Sequence, residues 1–156
     1  MTPEVIAKPT SGLKTAVMTT TPATKTWPAI TLRNVLLLDA VLTAINGVVF
    51  VAGAAALDGL LGPSAWMILA IGAFMLAYAA LAAWLANRRP VSRLAVALIA
   101  DGNFTWAIVS VAVVAYGWLG LTTAGTIWTF LQAGLVSAFA VLQIVAVRRA
   151  GQGQTP

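Results

Sequence analysis

Two aspartates lie inside long apolar runs, Asp39 in "RNVLLLDAVLTAING" and Asp101 in "LIADGNF", and each is followed four residues later by a threonine, Thr43 and Thr105. A carboxylate in such surroundings can accept hydrogen bonds and fix packing, take up a proton or cation, or pair with a polar group on another chain. Side chains able to act as donors or ligands stand close by: Asn46 after the first aspartate and Asn103 after the second. The chain contains no histidine and no cysteine. That removes thiolate chemistry, disulfides, haem ligation by either residue, the usual zinc sites and the commonest general base. Two membrane aspartates sharing a proton would suit an aspartyl protease, but the Gly-x-Gly-Asp order of that class is missing, since Gly102 follows Asp101. No catalytic residue, metal site or cofactor is expected, and the chain reads as non-enzymatic.

The elements that must position these residues follow from composition. Of 156 residues, 60% are hydrophobic and 8% charged, with a mean hydropathy of +0.93, whereas soluble domains carry about a quarter charged residues. A helix of roughly 20 apolar residues crosses about 30 Å of hydrocarbon. Four stretches qualify, at about 32–57, 64–86, 92–117 and 124–147. They are too long for barrel strands and lack polar alternation. Short connections, with Pro63 and Pro90 in turns, predict one all-α domain over 31–149, a polytopic four-helix transmembrane bundle.

Charge orients the bundle. Lys8, Lys14, Lys25 and Arg33 precede the first span, Arg88, Arg89 and Arg93 lie between the second and third, and Arg148 and Arg149 follow the fourth, which accounts for all nine basic residues. Basic residues gather on the cytoplasmic side, so both termini are expected there. Their place at helix ends, beside anionic headgroups, explains the basic balance without a nucleic-acid partner. Residues 1–30 are rich in Thr, Pro and Lys and lack the apolar region of a signal peptide. They predict a disordered tail, with Trp27 as an interfacial anchor and Pro28 near the first helix. Residues 150–156 read as a second tail. Trp66, Trp84, Tyr116, Trp118 and Trp128 fall near span ends as an aromatic belt.

Sliding the chain by 62 residues superimposes Asp39 on Asp101, Thr43 on Thr105, Trp66 on Trp128 and Gly72 on Gly134. This suggests two parallel hairpin repeats related by an axis along the membrane normal. Asp39 lies six residues beyond Arg33 and Asp101 eight beyond Arg93, so both carboxylates would sit roughly 10 Å inside the basic end at 1.5 Å per residue.

On the first helix Asp39, Thr43, Asn46, Phe50 and Gly53 share a sector about 80° wide. On the third, Asp101 and Thr105 share one face, with Asn103 and Ser110 on the other and Trp106 near them. Thr129, Gln132 and Gln143 form a stripe on the fourth helix. The polar intramembrane site is therefore expected from Asp39, Thr43, Asn46, Asp101 and Thr105, turned towards the interior, water or a partner. Asn103, Trp106 and Ser110 are expected to face outward as a contact for another membrane subunit or a second copy. Ala73 and Ala77, then Ala79 and Ala83, offer four-residue small spacing for close helix approach. Two functions fit: an accessory or scaffold protein whose aspartates serve packing or partner binding, or a proton- or cation-coupled transporter with Asp39 and Asp101 as its carboxylates, acting as a homo-oligomer.

The stretch "TLRNVLLLDAVLTAINGVVFVAGAAALDGLLG", followed by "ADGNFTWAIVSVAVV", resembles a group of small four-helix integral membrane proteins common in actinobacteria. The likeness spans residues 31 to about 147 and rests on the Leu-Arg entry, the Asp-Ala pair, the "LG" turn and Asn103 with Trp106. It implies a bacterial cytoplasmic membrane and brings no assigned activity or catalytic residue. Small multidrug-resistance transporters are similar in helix count alone, since they rely on a first-helix glutamate.

Overall fold

The computed structural model describes residues 31–152, and the expectations for residues 1–30, Trp27 and Pro28 included, and for 153–156 lie outside them. Four helices follow in order: α1 (Leu32–Leu61), α2 (Ala65–Asn87), α3 (Arg93–Tyr116) and α4 (Thr123–Gln152). All four are long and apolar enough to cross a membrane, as their composition predicts. The Thr31 hydroxyl caps α1 by accepting from the Asn34 amide at 3.2 Å, and Ser92 caps α3 through Ala95, each satisfying one of the free N–H groups of a first helical turn.

Two helices run beyond their expected ends. α1 continues through Asp58 and Gly59 and stops at Gly62, whose φ of 106° suits a residue without Cβ and whose N–H bonds the Asp58 carbonyl. α4 continues through Arg148 and Arg149 to Gln152 instead of ending at 147. There the Arg93 guanidinium donates to the Ala150 carbonyl at 2.6 Å, so residues 150–152, expected as tail, are helical because a side chain of α3 satisfies a terminal carbonyl.

α1 packs closely on α2, α3 on α4, and α1 on α4, while the backbones of α2 and α3 hardly approach. The bundle is thus a ring with one loose seam. α1 and α2 cross at Gly47 and Gly72, where a Cβ on Gly72 would stand 2.8 Å from the Phe50 Cβ and 3.0 Å from the Gly47 carbonyl oxygen. Small residues let backbones meet in this way, since apolar lipid leaves no hydrophobic drive between helices. The α2 stripe that packs inward is Ile68, Gly72, Met75, Ala79, Ala82 and Ala86. Of the four alanines singled out by spacing, Ala79 is buried and Ala83 half-buried, whereas Ala73 and Ala77 face out. Gly72→Val is expected to push α1 from α2 and cost about 1–3 kcal/mol, read as a lower midpoint of thermal unfolding in detergent; an unchanged midpoint would refute the close crossing.

Antiparallel order brings the arginines of all four helices to one end. Near it lies an apolar cluster of Leu36, Ala40, Ala82, Ala86, Val96 and Ile99. The other end is closed by contact between the two hairpin turns, where the Thr122 N–H donates to the Leu61 carbonyl at 3.0 Å. Trp66, Trp84, Tyr116, Trp118 and Trp128 are all exposed at span ends. Arg88 sits 4.1 Å over the Trp84 ring, and Tyr116 stacks on Trp118.

Candidate functional site: a buried carboxylate beside a membrane-facing cavity

Asp39 projects from the inner face of α1 and is 1% exposed. Its Oδ2 accepts from Asn103 Nδ2 of α3 and from Gln143 Nε2 of α4, both at 2.8 Å. Its Oδ1 accepts only from the Thr43 hydroxyl one turn on, at 3.4 Å. The second proton of the Asn103 amide reaches Gln143 Oε1 at 3.3 Å, which closes a triangle of Asp39, Asn103 and Gln143. Tyr78 of α2 completes the set. Its hydroxyl stands 2.8 Å from the Ile99 carbonyl oxygen and 3.2 Å from Asn103 Oδ1, so its single proton is shared between them. Every helix therefore contributes a polar group at this level. Among the described residues no buried side-chain nitrogen or oxygen lacks a partner, as a non-aqueous interior requires.

Of the residues expected at the polar site, Asp39 and Thr43 are hydrogen-bonded to each other, while Asn46 bonds the Leu42 carbonyl of its own helix at 3.3 Å and borders the adjacent cavity. α3 is turned the other way from expectation. Asn103 and Ser110, expected outward, are 3% and 6% exposed, and Trp106 is half-buried, its ring stacked on Phe74 at 5.6 Å between centroids. Asp101 and Thr105, expected to face the interior, water or a partner, are exposed.

The reason lies in charge and hydrogen-bond capacity. Were Asp101 turned inward, two carboxylates would face each other in a low-dielectric interior, where like charges repel strongly. An asparagine amide both donates and accepts, so Asn103 can bond Asp39, Gln143 and Tyr78 at once. Residues superimposed by the 62-residue shift thus differ in surroundings. Asp39 is buried and Asp101 exposed, and Gly72 packs against α1 whereas a Cβ on Gly134 would meet nothing within 4 Å.

Two participants escape sequence reasoning. Gln143 belongs to the polar stripe of α4, but spacing within one helix does not join it to Asp39. Tyr78 sits in the middle of α2, away from the ends where aromatic belts form, and a mid-span phenol needs a partner inside the bundle. That position is the available signal.

Next to the triangle lies a cavity of about 400 Å³ walled by all four helices. Phe74 and Tyr78 of α2 reach across the loose seam towards Trp106 and Gly102 of α3, and their rings form much of its wall. The exposed residues Phe74 and Thr105 also border it, which opens it laterally towards the region where lipid would lie. A second cavity of about 260 Å³ shares Trp106, Val109 and Gln132 with the first and runs on towards the turn end.

Helix length, apolarity and this interior polar lock define a multi-pass α-helical membrane protein of the four-helix bundle class. Compared with protein families, curated proteins and solved structures, the chain matches none.

Proposed function

We propose that the protein is a small, non-enzymatic accessory or scaffold component of a bacterial cytoplasmic membrane, with both termini cytoplasmic and the outer face of α3 receiving another membrane subunit. The observation that carries this reading is Asp101, an exposed carboxylate eight residues inside α3 from Arg93. It belongs to a stripe of exposed residues, Leu94, Leu98, Asp101, Thr105 and Ile108, spaced by alternating fours and threes, the spacing of a helix-pairing seam. A carboxylate there costs up to about 3 kcal/mol on insertion scales when it faces lipid, less where water and headgroups reach it. A partner helix with an Arg, Lys or hydroxyl at the same depth would remove that cost. A second copy related by a two-fold along the membrane normal would set Asp101 against Asp101, and the arginine of that helix, Arg93, stands eight residues away at its end, too far to relieve it, so a different protein is favoured. The arginine distribution and the resemblance to small actinobacterial membrane proteins support the orientation and the membrane.

A carrier using both aspartates draws less support, because the central cavity is bordered by Asp39 and not by Asp101. Purification in mild detergent tests the scaffold reading. Wild type is expected in a defined larger complex and Asp101→Leu is expected to lose it, with its own thermal unfolding unchanged. A basic residue in the partner, changed to glutamate, should be rescued by Asp101→Lys. Retention of the complex by Asp101→Leu would sink the reading.

A further inference from the structure

The central cavity has a feature that the scaffold role does not use. Its volume of about 400 Å³ falls within the roughly 300–1,000 Å³ of small-molecule sites. Phe74, Tyr78, Trp106 and Phe139 supply aromatic surface, and Asp39 lies at the wall. We infer that this cavity binds an organic cation, a quaternary or protonated amine with an aromatic or short alkyl body, which reaches it from the bilayer through the seam between α2 and α3.

Three properties of the site select that chemistry. The first is uncompensated charge. Among the described residues the hydrogen-bond partners of Asp39 are Thr43, Asn103 and Gln143, all neutral, and the arginines stand at helix ends, Arg33 six residues from Asp39. A positive charge that neutralises the carboxylate within the membrane has to arrive with a ligand or as a proton. The second is spare capacity. A carboxylate has about four acceptor positions; Oδ2 takes two short bonds, and among the described residues Oδ1 takes only the long one from Thr43 at 3.4 Å, which leaves room for the N–H of a protonated amine, whereas a quaternary ammonium, having no N–H, meets the carboxylate by charge alone. The third is the wall itself. A metal cation such as calcium wants six or more oxygen ligands, but Asn103 and Gln143 present N–H groups to Asp39. Aromatic faces attract an alkylammonium instead, and most strongly when it is desolvated. Lateral access suits a ligand whose apolar body already partitions into lipid, and the exposed ring of Phe74, 56% accessible, stands at that access.

The test uses the full-length protein in detergent micelles and two probes: benzyltrimethylammonium, and neopentylbenzene, its uncharged carbon isostere. Calorimetric titration is expected to show the cation binding at least about tenfold more tightly than the isostere. Asp39→Asn should cut that preference severalfold, to what the aromatic walls alone give, while leaving isostere binding unchanged. Val136→Phe fills the cavity wall without touching the Asp39 triangle, and it should weaken cation binding by about tenfold or more. This second variant decides the matter where Asp39→Asn fails to fold, as judged by circular dichroism and size-exclusion profile. Equal binding of cation and isostere by wild type would overturn the inference and make the cavity a site for neutral apolar groups such as acyl chains. An undiminished preference in folded Asp39→Asn, or unaltered cation binding in Val136→Phe, would overturn it equally.

Discussion

Asp39→Leu is expected to destabilise the bundle by about 2–5 kcal/mol, because it strands two buried amide donors at about 1–3 kcal/mol each. The donors are Asn103 Nδ2 and Gln143 Nε2, both 2.8 Å from the lost oxygen. A second contribution has the opposite sign and is smaller. When the helices separate within the membrane, a wild-type carboxylate that turns towards hydrocarbon raises the energy of the separated state by a few kcal/mol at most, and leucine removes that penalty; water and headgroups near the basic end relieve much of it for Asp39, so the stranded donors decide the net loss. Asp39→Asn keeps one acceptor oxygen and so should lose less, about 1–2 kcal/mol. Asp101→Leu touches no interior partner and should leave stability unchanged or raised. The expected order places Asp39→Leu below Asp39→Asn and both below wild type, with the Asp101 variant at or above wild type, and it is readable by thermal or denaturing-detergent unfolding. Wild-type stability in Asp39→Leu would mean that the triangle contributes nothing to the fold.

Gly125→Leu is expected to be at least as damaging. A Cβ on Gly125 would collide with the Leu61 carbonyl oxygen, a backbone atom that cannot swing aside as a side chain would. That carbonyl accepts the Thr122 N–H at 3.0 Å, and the Thr122 hydroxyl bonds the Leu60 carbonyl and caps Gly125 N at 3.0 Å. Forcing the turns apart therefore combines overpacking with the loss of two hydrogen bonds between hairpins, about 3–5 kcal/mol together. Gly134→Ala, in the same helix, provides the contrast. Nothing lies within 4 Å of its added Cβ, and alanine is favoured over glycine in a helix by up to about 1 kcal/mol, so this variant should be neutral or more stable. Equal unfolding of the two glycine variants would show that the turn contact does not hold the hairpins together.

The number of helices and the collection of arginines at one end were legible without a structure. Apolar length answers to the thickness of hydrocarbon, and the placement of Arg33, Arg88, Arg89, Arg93, Arg148 and Arg149 follows from chain order once the helices alternate in direction. That Asp39 and Thr43 share a face was equally local, since four residues along a helix make one face.

Rotation of each helix about its own axis was another matter. α3 carries polar residues on two opposite faces, Asp101 with Thr105 and Asn103 with Ser110, so periodicity within α3 supports either orientation. The choice depends on what the other helices present at that depth. α1 already supplies a carboxylate, which excludes a second and calls for donors, and α4 supplies Gln143, whose amide completes a closed set with Asn103. The loose seam between α2 and α3, and the cavity beside it, likewise come from the pairing of helices in space. Local sequence determined which segments are long and apolar enough to enter the membrane and which of their ends carry the arginines; tertiary structure alone decided which carboxylate is enclosed and which is presented, because that depends on hydrogen-bond complementarity between residues as far apart as 39 and 143.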